Sequence, residues 1–204
     1  MSNHQNPLPL SFYQRRDVVQ IARELVGKTL WTQCHGKQTS GRIVETEAYC
    51  GKGDLACHAH AGKKTSRNQY MFRAGGIAYV YVCYGIHHLF NIVTNQVDCA
   101  DAVLVRAIEP LSGVSHMAKR RGLNEHSIHI ANGPGKLTRA MGIGKDDAGA
   151  SLSGKRIWIT EAESGRCVHQ LTASPRVGIQ YAGKDAKLPW RFRLKGSRFV
   201  SPAA

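Results

Sequence analysis

The apolar positions of RRDVVQIARELVGKTL fall at Val18, Ile21, Ala22, Leu25 and Val26. That three-and-four spacing marks one face of a helix, and Gly27 supplies a stop. A different rhythm follows the turn HGKQ. The stretch TSGRIVETEAYC alternates, which predicts a strand with Ile43, Glu45, Glu47 and Tyr49 on one face and Val44, Thr46 and Ala48 on the other. Asp54 is placed to cap a short helix running to His60, and the basic loop GKKTSRNQYMFR comes next. YVYVCYGIHHLFNIV, residues 79–93, reads as a hairpin with Gly85 near its middle and with Tyr79 and Tyr81 on one face. Tyr84 stands where a turn normally carries Asn, Asp, Gly or Pro. ADAVLVRAIEP predicts a strand ending at its proline, SGVSHMAKRRG and PGKLTRAMGI two short helices, and RIWITE and PWRFRLKG two further strands. Short connections favour antiparallel pairing over βαβ crossovers. Residues 1–10 read as a polar, Pro-containing tail, and 11–204 as one mixed domain without repeat, linker or low-complexity block.

The composition adds a partner class. At 204 residues, with 42% hydrophobic and 21% charged residues, the chain has the make-up of a folded domain with a sizeable core. Lys and Arg number 28 against 14 Asp and Glu, a net charge of +14. Such an excess favours polyanions, nucleic acid first and acidic membrane surfaces second. No apolar run approaches the ~20 residues of a membrane span, and MSNHQNPLPLSFYQRR has no apolar signal core. An intracellular protein is expected: cytoplasm or nucleoid if bacterial, nucleus if eukaryotic. The six cysteines form no C-x-x-C pair, so free, buried thiols are expected. CGKGDLACHAH holds Cys57, His58 and His60 but lacks the paired ligand spacing of a zinc site. The P-loop, the G-x-S-x-G elbow, H-E-x-x-H and the zinc-deaminase P-C-x-x-C are all missing.

Glu45 and Glu47 are the carboxylates that ask for an explanation. A solvated strand face is one account of them. The company of Tyr49 and a His-containing segment favours another, a desolvated carboxylate serving as general base for water. Tyr49, Tyr79, Tyr81 and Tyr84 are either core residues or, interleaved with Lys63, Lys64, Arg67 and Arg73, a platform for nucleobases. Lys119, Arg120 and Arg121, and later Arg191, Arg193, Lys195 and Arg198, extend the basic surface. NGPGKLTRAMGI feeds a helix with Lys136 in its first turn, either a plain helix start or a phosphate site.

The ordered set RIVETEAY, MF, YVYVCYG, FNIV, VLVRAIEP, NGPGKL and RVGI…LPWRF resembles the alkyladenine DNA glycosylases, also called 3-methyladenine or methylpurine DNA glycosylases. The resemblance runs from about Leu10 to Ser201. It implies an α+β fold, a single mixed domain around a curved antiparallel sheet with surrounding helices and a protruding DNA-inserting hairpin. The activity it implies is excision of alkylated or deaminated purines from duplex DNA by a monomer, with no metal or cofactor. By the same resemblance Glu47 is the general base and Arg106 helps hold Glu47 and the water. Tyr49 lies on one face of the flipped base, His58 and Tyr81 on the other. Asn91 borders the pocket, and Tyr84 enters the duplex where the base has left. His87 and His88 stand where better-known members carry larger apolar or aromatic side chains. Two other readings compete: a non-catalytic nucleic-acid-binding module of the same fold with Glu47 merely structural, and a metal-dependent nuclease using Cys57, His58 and His60.

Overall fold

A computed structural model describes residues 6–162 and 170–202. Eight strands make one curled antiparallel sheet: β1 (Thr29–Cys34), β2 (Lys37–Tyr49), β3 (Ala78–Cys83), β4 (His87–Thr94), β5 (Asp101–Ser112), β6 (Ile157–Thr160), β7 (Leu171–Ser174) and β8 (Arg191–Leu194). The order is β3-β4-β5-β2-β1-β6. The long strand β2 changes neighbours along its free edge, pairing with β1 up to Arg42 and with β8 over Glu45–Glu47. β8 in turn pairs with β7. This exchange of partners gives the sheet its half-barrel curl, a mixed α+β fold in a single domain.

Among the described residues four α-helices accompany it: α1 (Leu10–Tyr13), α2 (Val18–Leu25), α3 (Val114–Arg121) and α4 (Pro134–Met141). Asp17 caps α2, its side chain accepting from the Gln20 amide at 2.9 Å, as N-cap chemistry requires. The predicted face of α2 is buried through Val18, Ile21, Ala22 and Leu25 and packs on β2 and β5. Helices α3 and α4 pack on each other, and α4 lies against β4 and β5. The main core joins these helices to Ile43, Phe90, Val105 and Phe192. Full burial of such side chains contributes about 1.5–3 kcal/mol each. Leu8 is also buried, and its amide donates to Ile159.

Several expectations need correction. Ile43 leaves the predicted face, because β2 and β5 pair irregularly around Glu45: Ile43 opposes Ile108, Glu45 opposes Ala107, and Thr46 opposes Val105. The alternation is interrupted in both strands, so Ile43 packs in the main core with Ala48 and Val105. No helix runs from Asp54 to His60; turns lead into a short 3-10 segment, His60–Gly62. Asp54 instead accepts from the Ala56 and Cys50 amides and pairs with Arg176. Strand β5 continues past Pro110, which pairs with Gly41 beside a register shift, a place where a missing ladder N–H is tolerated. Strands β1 and β7 were not predicted. The five described cysteines are free, but only Cys57 is buried; Cys167 lies outside the described residues.

Candidate active site

One cross-strand row organises the site. Tyr79 pairs with Asn91, Asn91 with Leu104, and Leu104 with Glu47. Facing positions across adjacent strands share one side of a sheet; Tyr79, Asn91 and Leu104 floor a single cavity of about 520 Å³, and Glu47 is next in the row. That volume is typical of a small-ligand pocket. Tyr49, His58, Tyr81, Asn91 and Arg106 all line it, as do Leu104, Met71, Val177 and Ile179.

Glu47 lies beneath the lining, fully buried, with three donors that each reach the cavity. The Tyr49 hydroxyl donates to Oε2 at 2.8 Å, the Val177 amide to Oε1 at 2.8 Å, and Arg106 Nη1 to Oε2 at 3.3 Å. The arginine contact is long for a charge-assisted bond, which makes this the loosest side of the carboxylate. Burial works against the charge of Arg106, but the Glu47 and Glu45 carboxylates more than offset it and leave its pKa raised. Burial, followed by the Glu47 charge, lifts the Tyr49 phenol well above its ordinary value. Tyr49 therefore stays a protonated donor.

Glu45 is held differently. Its Oε1 accepts from Arg106 Nε at 2.8 Å, Arg191 Nε at 2.7 Å and the Ser201 hydroxyl at 2.8 Å, and its Oε2 accepts from the Ser201 amide at 2.6 Å. Arg191, expected on the basic surface, is thus buried. A second buried cation was also missed. Arg176 makes two bonds to Asp54, at 2.6 and 2.8 Å, and gives another to the Ala48 carbonyl. Its guanidinium lies 4.8 Å from the Tyr49 ring centroid and 5.1 Å from that of Trp190. It therefore backs the ring that faces the cavity, and the next amide, Val177, reaches Glu47. RVGI was visible as a motif, but nothing in its local pattern told of partners more than 120 residues away.

The opposite wall is aromatic. His58 meets Tyr81 edge-on, with centroids 4.7 Å apart, and its Nδ1 lies 3.0 Å from the Tyr79 hydroxyl. Arg67 covers Tyr81 at 4.7 Å. Desolvation among these rings, and then the Arg67 charge, push the His58 pKa below its usual value. Asn91 is buried, its Nδ2 donating to the Tyr79 carbonyl at 3.2 Å and the Leu89 carbonyl at 3.5 Å. Those bonds fix its amide plane at the pocket border. At the mouth, Tyr84 is 89% exposed and sits at φ 51, followed by Gly85 at φ 73. Two positive φ values suit a tight hairpin turn. A bulky residue in the left-handed region is uncommon and costs strain, which points to a role outside the fold.

Cys57, His58 and His60 are not brought together. Cys57 donates to the Ala100 carbonyl, His58 faces the aromatic cavity, and His60 lines a separate one. Burial pushes the Cys57 thiol up to about 12, far from the thiolate a metal needs.

A family model described as methylpurine-DNA glycosylase matches residues 11–198. The chain belongs to the methylpurine-DNA glycosylase family. It is accordingly a DNA N-glycosylase, a hydrolase of N-glycosyl bonds, and its work is DNA repair. Curated relatives carry the name "Putative 3-methyladenine DNA glycosylase". One from Chlamydia felis is 45% identical over 188 residues, covering 92% of this chain and 95% of its own. Another from Bacillus thuringiensis is 41% identical over 202 residues, covering 95% and 98%. In this glycosylase no helix among the described residues is long and apolar enough to cross a membrane.

Proposed function

We propose that this glycosylase flips alkylated or deaminated purines, the class of 3-methyladenine, 7-methylguanine, hypoxanthine and ethenoadenine, out of duplex DNA and hydrolyses the N-glycosidic bond. The observation that carries the reading is Glu47, buried directly beneath an aromatic cavity by three donors that themselves line it. A base inside a duplex is unreachable, so it must be extruded at a cost of a few kcal/mol, least for damaged pairs. The flipped purine stacks on Tyr49, with His58 and Tyr81 on its other face; such stacking is worth ~1–3 kcal/mol per base. Tyr84 fills the gap, offsetting lost stacking. Glu47 takes a proton from water on its loosest side, beside Arg106, and the oxygen attacks C1′ as the base departs. The carboxylate also stabilises the positive charge growing at C1′. Alkylated purines that are already cationic leave readily and stack well against aromatic faces.

Among the described residues none that lines the cavity is a lysine, which supports a monofunctional enzyme that leaves an abasic site; its proposed working form is a monomer. The test is a panel of single-lesion duplexes incubated with the protein and then cleaved with alkali. Strand breaks at alkylated or deaminated purines, undiminished by EDTA, are expected; breaks at none of them would sink the proposal. Tyr84→Ala should weaken affinity for lesion duplex more than for single strand. Tyr84→Phe should stay near wild type, since bulk rather than the hydroxyl fills the gap. Equal lesion-duplex affinity in Tyr84→Ala and wild type would leave that residue without a role in flipping.

A further inference from the structure

Another cavity, of about 420 Å³, shares His87 and Gly135 with the base pocket. Arg121 from α3 and Lys136 and Arg139 from α4 line it, with His88. No carboxylate among the described residues does. Among the described residues none of these three cations takes part in an ion pair.

The cations are tethered without being neutralised. Arg121 gives its Nε to the Ile130 carbonyl at 3.0 Å, and Arg139 gives its Nε to the Arg120 carbonyl at 2.8 Å. Lys136 donates to Asn132 Oδ1 at 3.0 Å. Holding each guanidinium by Nε fixes its plane and leaves the two Nη groups to point elsewhere. Both guanidiniums line the same cavity, and burial, followed by the charge of Arg139, lowers the Arg121 pKa. Paired planar donors with no internal counter-charge are suited to a phosphate, which accepts bidentate bonds from guanidinium forks.

The cradle is fastened to the hairpin. Thr138 Oγ1 donates to the His88 carbonyl at 2.7 Å. Gly135 lies so close to the His87 ring that an added Cβ would come within 3.0 Å of it. Helix α4 and the strand that leaves the Tyr84 turn are therefore held against one another.

Building on the function proposed above, we propose that Arg121 and Arg139 clamp one backbone phosphate of the DNA, with Lys136 beside it. The duplex is thereby held in register with Tyr84 before the base is extruded. Phosphate contacts of this kind set position and carry no lesion specificity.

The test is duplex affinity against salt for wild type, R121Q, R139Q and the double variant, on undamaged and lesion-bearing DNA. Each substitution should weaken both duplexes by the same factor. If the two guanidiniums share one phosphate, the double variant's slope of log affinity on log salt should become shallower by about 0.9; two separate phosphates would give about 1.8. Lys155→Gln, an exposed lysine elsewhere, should change nothing. A scan of single neutral methylphosphonates along the duplex should find one position that weakens wild type and has no effect on the double variant. The charge-keeping R121K/R139K, which preserves the cations but not their forks, gives the same scan should the glutamine variants unfold; there that position's effect should shrink. An unchanged slope, a drop near 1.8, or no position whose effect is lost or reduced would overturn the clamp. Because binding to undamaged duplex decides it, failure to excise any lesion would count against the function and leave the clamp to be judged separately.

Discussion

Glu45 and Glu47 stand two residues apart on β2, both fully buried and both bonded to Arg106. Their surroundings differ in what they leave free. Glu45 accepts four bonds, and its partners Arg191 and Ser201 lie away from the base cavity. Glu47 accepts three, one of them long, and every donor also lines that cavity. A carboxylate saturated by fixed donors is a tie between segments, here from β2 to β5, β8 and the C-terminal Ser201. A carboxylate held at its back, with its loosest contact beside a cavity, is positioned to take a proton. Burial and an arginine partner are common to both, so neither feature identifies a catalytic residue on its own.

The largest effect expected from this contrast falls on chemistry. Glu47→Gln should retain lesion binding and lose ~10²–10⁴-fold in single-turnover excision, the usual range for removing a general base. Stability should fall less than in Glu45→Gln. The glutamine oxygen still accepts from the Val177 amide, and its NH₂ can turn to the Tyr49 hydroxyl, which accepts as well as donates. Only Arg106 Nη1, already 3.3 Å away, is left facing an N–H. Near-normal excision would take Glu47 out of the mechanism.

Glu45→Gln should reverse that profile. Around Glu45 nearly every partner is an obligate donor: two arginine Nε groups and the Ser201 amide. A glutamine NH₂ must therefore face another N–H, and two buried guanidiniums lose a counter-charge. Breaking such a buried pair costs about 3–5 kcal/mol, readable as a lower denaturation midpoint. Excision measured well below that midpoint should fall less than in Glu47→Gln. A stable Glu45→Gln protein with excision as poor as Glu47→Gln would erase the distinction between the two carboxylates.

Half of this contrast was legible in the residue pattern. Period two placed Glu45, Glu47 and Tyr49 together because β2 pairs regularly with β8 from Glu45 to Glu47 and with β5 from Thr46 to Tyr49. It failed at Ile43, since an irregularity in pairing leaves no mark in residue type. The hairpin was legible because its alternation is strong and its glycine sits at the turn. What separates the two glutamates was not legible, because it depends on Arg191, Ser201 and Val177, all more than 120 residues away. Arg191 read as surface for the same reason: local sequence reports a charge, and only tertiary pairing reports its burial. Strand β1 was hidden in TLWTQC, which follows a helix stop too closely to stand out.

A finer cut tests the back of Glu47. Tyr49→Phe keeps the ring that stacks and removes the hydroxyl that holds Oε2 at 2.8 Å. Hydrogen bonds to charged groups contribute about 1.5–3 kcal/mol, so a loss of ~10–10²-fold in excision is expected, with lesion affinity close to wild type. A drop in affinity without a drop in the excision rate would show that the hydroxyl serves binding and leaves Glu47 unaided.

The smallest change is on the Glu45 side. The Ser201 hydroxyl donates to Glu45 Oε1 and accepts from Arg106 Nη2 and Arg191 Nη2, each at 3.2 Å. Ser201→Ala removes all three contacts but keeps the amide bond from residue 201 to Oε2. Arg106 stays anchored through Nε to Glu45 and through Nη1 to Glu47, so its place beside Glu47 should hold. The expected outcome is a stability loss of about 1–3 kcal/mol, the range for leaving buried donors without an acceptor, with excision unchanged. Small as it is, this result separates the two carboxylates best, because Arg106 is the one residue they share. If Ser201→Ala slows excision at full occupancy while the protein remains folded, disturbance passes through Arg106, and Glu45 belongs to the positioning machinery of Glu47.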